Sequence, residues 1–115
     1  MIFYDSKGNE IELQEHEDSG WTKVNNFIEY RKVNGIVYVE VGFTNNLITR
    51  GEKNIGTLPV GFRPLFEIPM YMFTKGISMD KNPMVDISVK PSGEVRVYVP
   101  FDTNYLYAYC SFPID

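Results

Sequence analysis

The chain holds one cysteine, Cys110, and one histidine, His16, and these two residues bound its chemistry at once. One Cys excludes an intrachain disulfide. One Cys with one His leaves too few ligands for a zinc site and little scope for histidine-based acid–base work. Cys110 lies between Ala108 and Phe112 on the core register of a strand, where apolar burial raises a thiol pKa and makes it inert. His16 belongs to the acidic run Glu15-His16-Glu17-Asp18, which reads as a solvated connector in preference to a weak cation site. The segment Asp5-Ser6-Lys7-Gly8-Asn9-Glu10, with Glu12, has the composition of a calcium loop. Its spacing fails, because Lys7 takes a ligand position and Gly8 comes too early, so a hairpin turn is expected there. Fifteen Asp and Glu could furnish paired carboxylates for glycoside hydrolysis, but no pair is singled out. Gly51, Gly56 and Gly61 are spaced for turns and not for cradling phosphate. The expectation is a non-enzymatic chain with no cofactor and no metal.

Tyrosine is the more informative residue. Tyr38, Tyr71, Tyr98, Tyr105, Tyr107 and Tyr109 all fall opposite the aliphatic face of their segments. Tyrosine has high β-propensity and fills exposed sheet faces. It also supplies apolar area with a polar hydroxyl, which suits a subunit interface or a ligand such as a sugar ring. Ordinary surface, interface and ligand surface all remain open on sequence alone. Tyr71, Tyr98, Tyr105 and Tyr107 are the expected contact residues. Trp21 is the single tryptophan and is expected to anchor packing at the start of the compact body.

These side chains need elements to hold them, and the apolar period is two almost everywhere. Val37, Val39, Val41 and Phe43 share one face of Ile36–Phe43, opposite Tyr38, Glu40 and Gly42. Phe66, Ile68, Met70 and Met72 share a face, as do Val85, Ile87 and Val89, then Val95, Val97 and Val99, then Leu106, Ala108, Cys110 and Phe112. Each pattern predicts a half-buried antiparallel strand. Asn34-Gly35 suits a two-residue hairpin, and Pro91-Ser92-Gly93 a second tight link. Pro59, Gly61 and Pro64 break the chain before Phe66, and Pro83 breaks it before Met84. No long helix is expected, and at most one turn over 78–81. Seven or eight short strands predict an all-β fold, an antiparallel β-sandwich of jelly-roll type. Residues 1–20 read as an N-terminal hairpin and acidic connector, and 21–115 as the sandwich.

With 115 residues the chain fits one domain. The net charge of −4 is uneven: residues 1–18 carry −5 and the remainder +1. That balance argues against nucleic acid, which needs clustered Lys and Arg. No apolar run is long enough for a membrane-spanning helix, so no membrane insertion is expected, and the first residues carry no signal-peptide pattern.

Three segments, in order, carry a family resemblance: Asp18-Ser19-Gly20-Trp21, then Tyr30-Arg31-Lys32-Val33-Asn34-Gly35, then Leu58-Pro59-Val60-Gly61-Phe62-Arg63-Pro64. A Ser92-Gly93 turn and an aromatic final strand follow. Across about residues 18–112 the chain resembles the C-terminal receptor-binding head of phage and prophage tail fibre, baseplate and minor structural proteins. The resemblance implies a virion location at a tail tip or fibre and a homotrimer assembled with other tail proteins. It also implies a host cell-wall glycan or teichoic acid as ligand. Trp21, Asn34, Gly35, Pro59, Gly61, Arg63 and Pro64 enter as scaffold residues. Two alternatives stand beside it: a purely structural trimerisation and capping module, and a carbohydrate-binding module of a carbohydrate-active protein.

Overall fold

In a computed structural model, the described residues are 3–4, 6–8, 10–11, 17–73, 85–100 and 102–114. They form eleven strands and, among them, no helix. The strands are β1 (Phe3–Tyr4), β2 (Glu10–Ile11), β3 (Thr22–Lys23), β4 (Ile28–Val33), β5 (Ile36–Ile48) and β6 (Gly51–Thr57). They continue with β7 (Ile68–Pro69), β8 (Tyr71–Phe73), β9 (Asp86–Val89), β10 (Glu94–Val99) and β11 (Thr103–Pro113). Every pairing is antiparallel. A five-stranded sheet runs β3-β4-β5-β11-β8, and a four-stranded sheet runs β6-β10-β9-β7. The expected hairpin of β1 and β2 forms its own two-stranded sheet.

The alternating apolar residues explain why two sheets form and why they face one another. Val37, Val39, Val41, Leu106 and Ala108 are fully buried on the five-stranded sheet; Ile87, Val89, Val95, Val97 and Val99 are buried on the four-stranded one. All belong to a single core cluster, so the molecule is an antiparallel β-sandwich. These pairings establish the sandwich and not, by themselves, a jelly-roll winding. Cys110 lies in the same core, and burial pushes its thiol up to about 12.

The tight links behave as their residues require. Asn34 and Gly35 have φ of 49° and 79°, the positive values a two-residue hairpin between β4 and β5 demands. The segment after β6 is the irregular connection expected between strands. Leu58 is fully buried, its N–H bonds the Gly93 carbonyl at 2.9 Å, and Arg63 Nε bonds the Leu58 carbonyl at 2.9 Å. Phe62 packs edge-on against Tyr30 of the facing sheet at 4.7 Å, with Lys32 Nζ 4.8 Å from the Phe62 ring centre. The motif through Pro64 is thus a clamp joining the β9–β10 turn to the five-stranded sheet.

Two expectations need correction. Residues 66–73 do not form one strand: β7 joins the four-stranded sheet and β8 the five-stranded sheet, and Phe66, placed in the core by its register, is 75% exposed. The chain changes sheets at Pro69-Met70, where the Met70 N–H bonds the Ile87 carbonyl at 2.9 Å. Strand β6 was not expected, since Gly51–Thr57 lacks apolar alternation; β10 recruits it as an edge partner. The body's hydrogen bonding also begins before residue 21. The Asn34 N–H bonds the Glu17 carbonyl, the Ser19 N–H bonds the Lys32 carbonyl, and Asp18 bridges Val33. Glu15 and His16, and the turn suggested at 78–81, lie outside the described residues.

Candidate functional site

The outer face of the five-stranded sheet collects most of the aromatic surface. On β11, Tyr105, Tyr107 and Tyr109 alternate with buried Leu106, Ala108 and Cys110, so all three tyrosines point away from the core. Strand pairing brings Tyr71 opposite Tyr109 on one side of β11 and Glu40 opposite Tyr109 on the other. The Tyr71 and Tyr109 rings stack at 5.6 Å, and the Tyr107 and Tyr109 rings sit 6.4 Å apart, tilted by 46°. Tyr107 stands opposite Gly42, which has no side chain to cover it.

A hollow of about 290 Å³ opens on this face, lined by Trp21, Tyr38, Glu40, Tyr107 and Tyr109. Val39 and Cys110 also line it; both side chains turn inward, so they contribute backbone to the floor. The sequence around Trp21 explains its placement. Asp18 pairs through both carboxylate oxygens with Arg31 and accepts the Gly20 N–H at 2.9 Å. Ser19 Oγ accepts the Lys32 N–H at 2.9 Å, and Gly20 turns the chain with a φ of 69°. Asp18-Ser19-Gly20 is thereby fastened to β4, which leaves Trp21 on the outer face, 45% exposed. The expected packing role for Trp21 is corrected: it is outside the core and forms a wall of the hollow.

The electrostatics of the hollow are acidic. The Tyr107 hydroxyl donates to the Glu40 carboxylate, and burial together with that negative charge raises the Tyr107 pKa above its ordinary value. Glu29 stands directly opposite Glu40 across β4 and β5, and Lys23 stands opposite Glu29 one strand further out. Asp18 raises the Arg31 pKa further by hydrogen bonding and charge, so the guanidinium beside Tyr38 stays charged and engaged.

Of the four expected contact residues, Tyr71, Tyr105 and Tyr107 share this face, and Tyr98 does not. Tyr98 lies on β10, on the opposite outer face, beside a polar hollow of about 250 Å³ lined with Glu52, Glu67, Asp86, Ser88 and Arg96. The six outward tyrosines therefore form two surfaces and not one. Glu40 was missed as a site residue, although its alternation with Tyr38 already placed it on the tyrosine face. Its closeness to Tyr109 follows only from the pairing of β5 with β11. The scaffold residues Asn34, Gly35, Pro59, Gly61, Arg63 and Pro64 lie in the hairpin and the clamp, outside the lining of this hollow.

The arrangement offers ring faces for stacking and one carboxylate as acceptor, while the Cys110 thiol beneath the floor is held protonated by burial. No family model matches the chain, and no curated protein is found to match it.

Proposed function

We propose that this chain is a non-catalytic receptor-binding head of phage or prophage tail type that binds a host cell-surface saccharide or teichoic acid. The observation that carries the reading is the exposed hollow walled by Trp21, Tyr38, Tyr107 and Tyr109 around Glu40. Ring faces stack on the C–H faces of sugars, and a carboxylate accepts their hydroxyls. One such shallow site binds weakly. Three copies in a homotrimer would multiply it, because the second and third contacts become intramolecular. The order of Asp18-Ser19-Gly20-Trp21 and the clamp through Pro64 adds the family resemblance to this support.

The experiment is adsorption of the intact chain to purified Gram-positive cell walls, followed by light scattering to count subunits. Saturable adsorption that falls in Trp21→Ala and Tyr109→Ala is expected. A trimer that adsorbs to no wall preparation would replace this reading with a second one, a structural capping and trimerisation module docking on other tail proteins. The exposed Val60, Leu65 and Phe66 on the clamp favour that alternative, since such apolar side chains suit an assembly contact.

A further inference from the structure

We propose that the Trp21–Tyr109 hollow is a cation cage, and that the group it takes is an alkylammonium substituent on the wall polymer. The assignment rests on the reading above that this face binds such a polymer, and it names the part of the ligand that enters.

The shape of the hollow argues first. Tyr107 and Tyr109 are tilted by 46°, and Trp21 and Tyr38 add further walls, so the rings enclose a concavity. At about 290 Å³ it accommodates a group the size of one substituent. Aromatic faces carry negative potential and attract ammonium groups, most strongly where several rings converge.

Charge argues second and independently. Like charges directly opposite one another on a sheet repel, and Glu29 faces Glu40 in that way. Among the described residues, Glu17, Asp18, Glu52 and Glu94 each have a Lys or Arg salt-bridge partner, whereas Glu29 and Glu40, like Glu67, Asp86 and Asp102, have none, and of these only Glu29 and Glu40 stand opposite each other. Lys23 opposes Glu29 from the far side and leaves two carboxylates to one cation. Arg31, opposite Tyr38, is occupied by Asp18. The hollow therefore keeps an excess negative charge beside its rings, which a bound cation would offset and a neutral sugar would not.

Trp21 is the only tryptophan, so its fluorescence reports occupancy directly. The intact chain is titrated with choline, with its uncharged isostere 3,3-dimethylbutan-1-ol, and with methyl glucoside. Choline is expected to saturate the signal, to bind at least about tenfold tighter than either neutral probe, and to weaken by about tenfold in Glu40→Gln. Glu40→Gln relieves the repulsion with Glu29 and keeps an amide oxygen to accept from the Tyr107 hydroxyl, so the fold is expected to hold, and a thermal melt separates loss of binding from loss of fold. Equal binding of the isostere, or an unchanged Glu40→Gln, overturns the cation cage. Competition separates the two readings. Wall adsorption that survives saturating choline rejects the ammonium assignment and leaves wall binding standing. Choline binding without any wall adsorption keeps the cage and rejects the wall polymer as its source.

Discussion

Both sheets turn a comb of valines and isoleucines inward, and their outward faces then diverge. On the four-stranded sheet, Arg96 sits between Glu52 at 3.2 Å and Glu94 at 3.4 Å, and the Ser88 hydroxyl donates to Glu67 at 2.8 Å. Its one large aromatic, Tyr98, stands among charges of both signs, Glu52, Glu67, Asp86, Lys90 and Arg96. On the five-stranded sheet the outward positions hold Tyr38, Tyr71, Tyr107 and Tyr109, and two carboxylates oppose each other. The fold needs only the inward comb, which both sheets supply. The polar outer face shows what a solvated sheet surface looks like in this molecule. The aromatic one departs from it in directions that the inward comb does not require, and the proposed binding role uses that departure.

The largest expected effect concerns the layer beneath the aromatic face. With the Cys110 thiol raised to about 12 from an ordinary 9.0, the folded protein at pH 8 holds about a thousandfold less thiolate than an exposed cysteine would. Iodoacetamide should leave Cys110 unmodified until denaturant is added. The sign for stability follows from linkage. The folded pKa is above the unfolded one, so this contribution is complete below pH 9 and is lost as pH rises toward 12. Rapid alkylation of the native chain would show the aromatic face to be a thin, open layer.

Two glycines give the next effect. Gly93, in the turn of the four-stranded sheet, has a φ of 88°, and an added Cβ would lie 2.6 Å from the Leu58 carbonyl oxygen. Gly93→Ala should cost about 2–4 kcal/mol by left-handed strain and overpacking, read by denaturant unfolding. Gly42, on the aromatic face, has an ordinary φ, and an added Cβ there would meet nothing within 4 Å. Gly42→Ala should change stability by less than about 0.5 kcal/mol. Equal costs would break the division between a closed scaffold and an open face.

Third, Tyr109→Ala and Tyr98→Ala remove the same side chain from opposite faces. Each should cost about 0.2–1 kcal/mol of stability, as a cross-strand neighbour does. Only Tyr109→Ala should reduce adsorption to cell walls, by about tenfold, since a stacking residue at the centre of a contact carries about 1–2 kcal/mol. Equal losses from both would place the ligand on both faces and undo the comparison.

The division between faces was only half legible in the sequence. Alternation in Val37–Phe43, Val95–Val99 and Leu106–Phe112 announced the strands and which residues turn inward, because burial on one side imposes a period of two. It also showed that Tyr98 and Tyr107 both turn outward. It could not show that they turn outward on different sheets, because sheet membership is set by pairing between segments far apart in the chain, such as β5 with β11. Phe66–Phe73 misled for the same reason: its alternation is continuous, but β7 and β8 pair with different partners. β6 gave no apolar signal because an edge strand with residues such as Glu52, Lys53 and Asn54 is held by its ladder to β10 and not by a buried face. Trp21 was misplaced because exposure depends on Asp18, whose hold on Arg31 spans a turn the sequence does not display.

The smallest effect tests the charge difference between the faces, and it should change sign from one to the other. Arg96 is one-third exposed, so Arg96→Gln should lose up to about 1 kcal/mol by leaving Glu52 and Glu94 without their shared cation. Glu40→Gln should instead gain a few tenths of a kcal/mol, roughly 0.2–0.5, by removing the repulsion from Glu29. Both differences should shrink as salt is added, because the groups reach solvent. Tyr107 supplies an independent reading. Burial is the main cause of its raised pKa and would persist in Glu40→Gln, while the contribution of the Glu40 charge would vanish, so the phenol should titrate lower in that variant. A stability loss in Glu40→Gln would mean that the carboxylate serves the fold through its bond to Tyr107. The aromatic face would then be compensated in its own way, and its opposed carboxylates would no longer distinguish it from the face that carries Arg96.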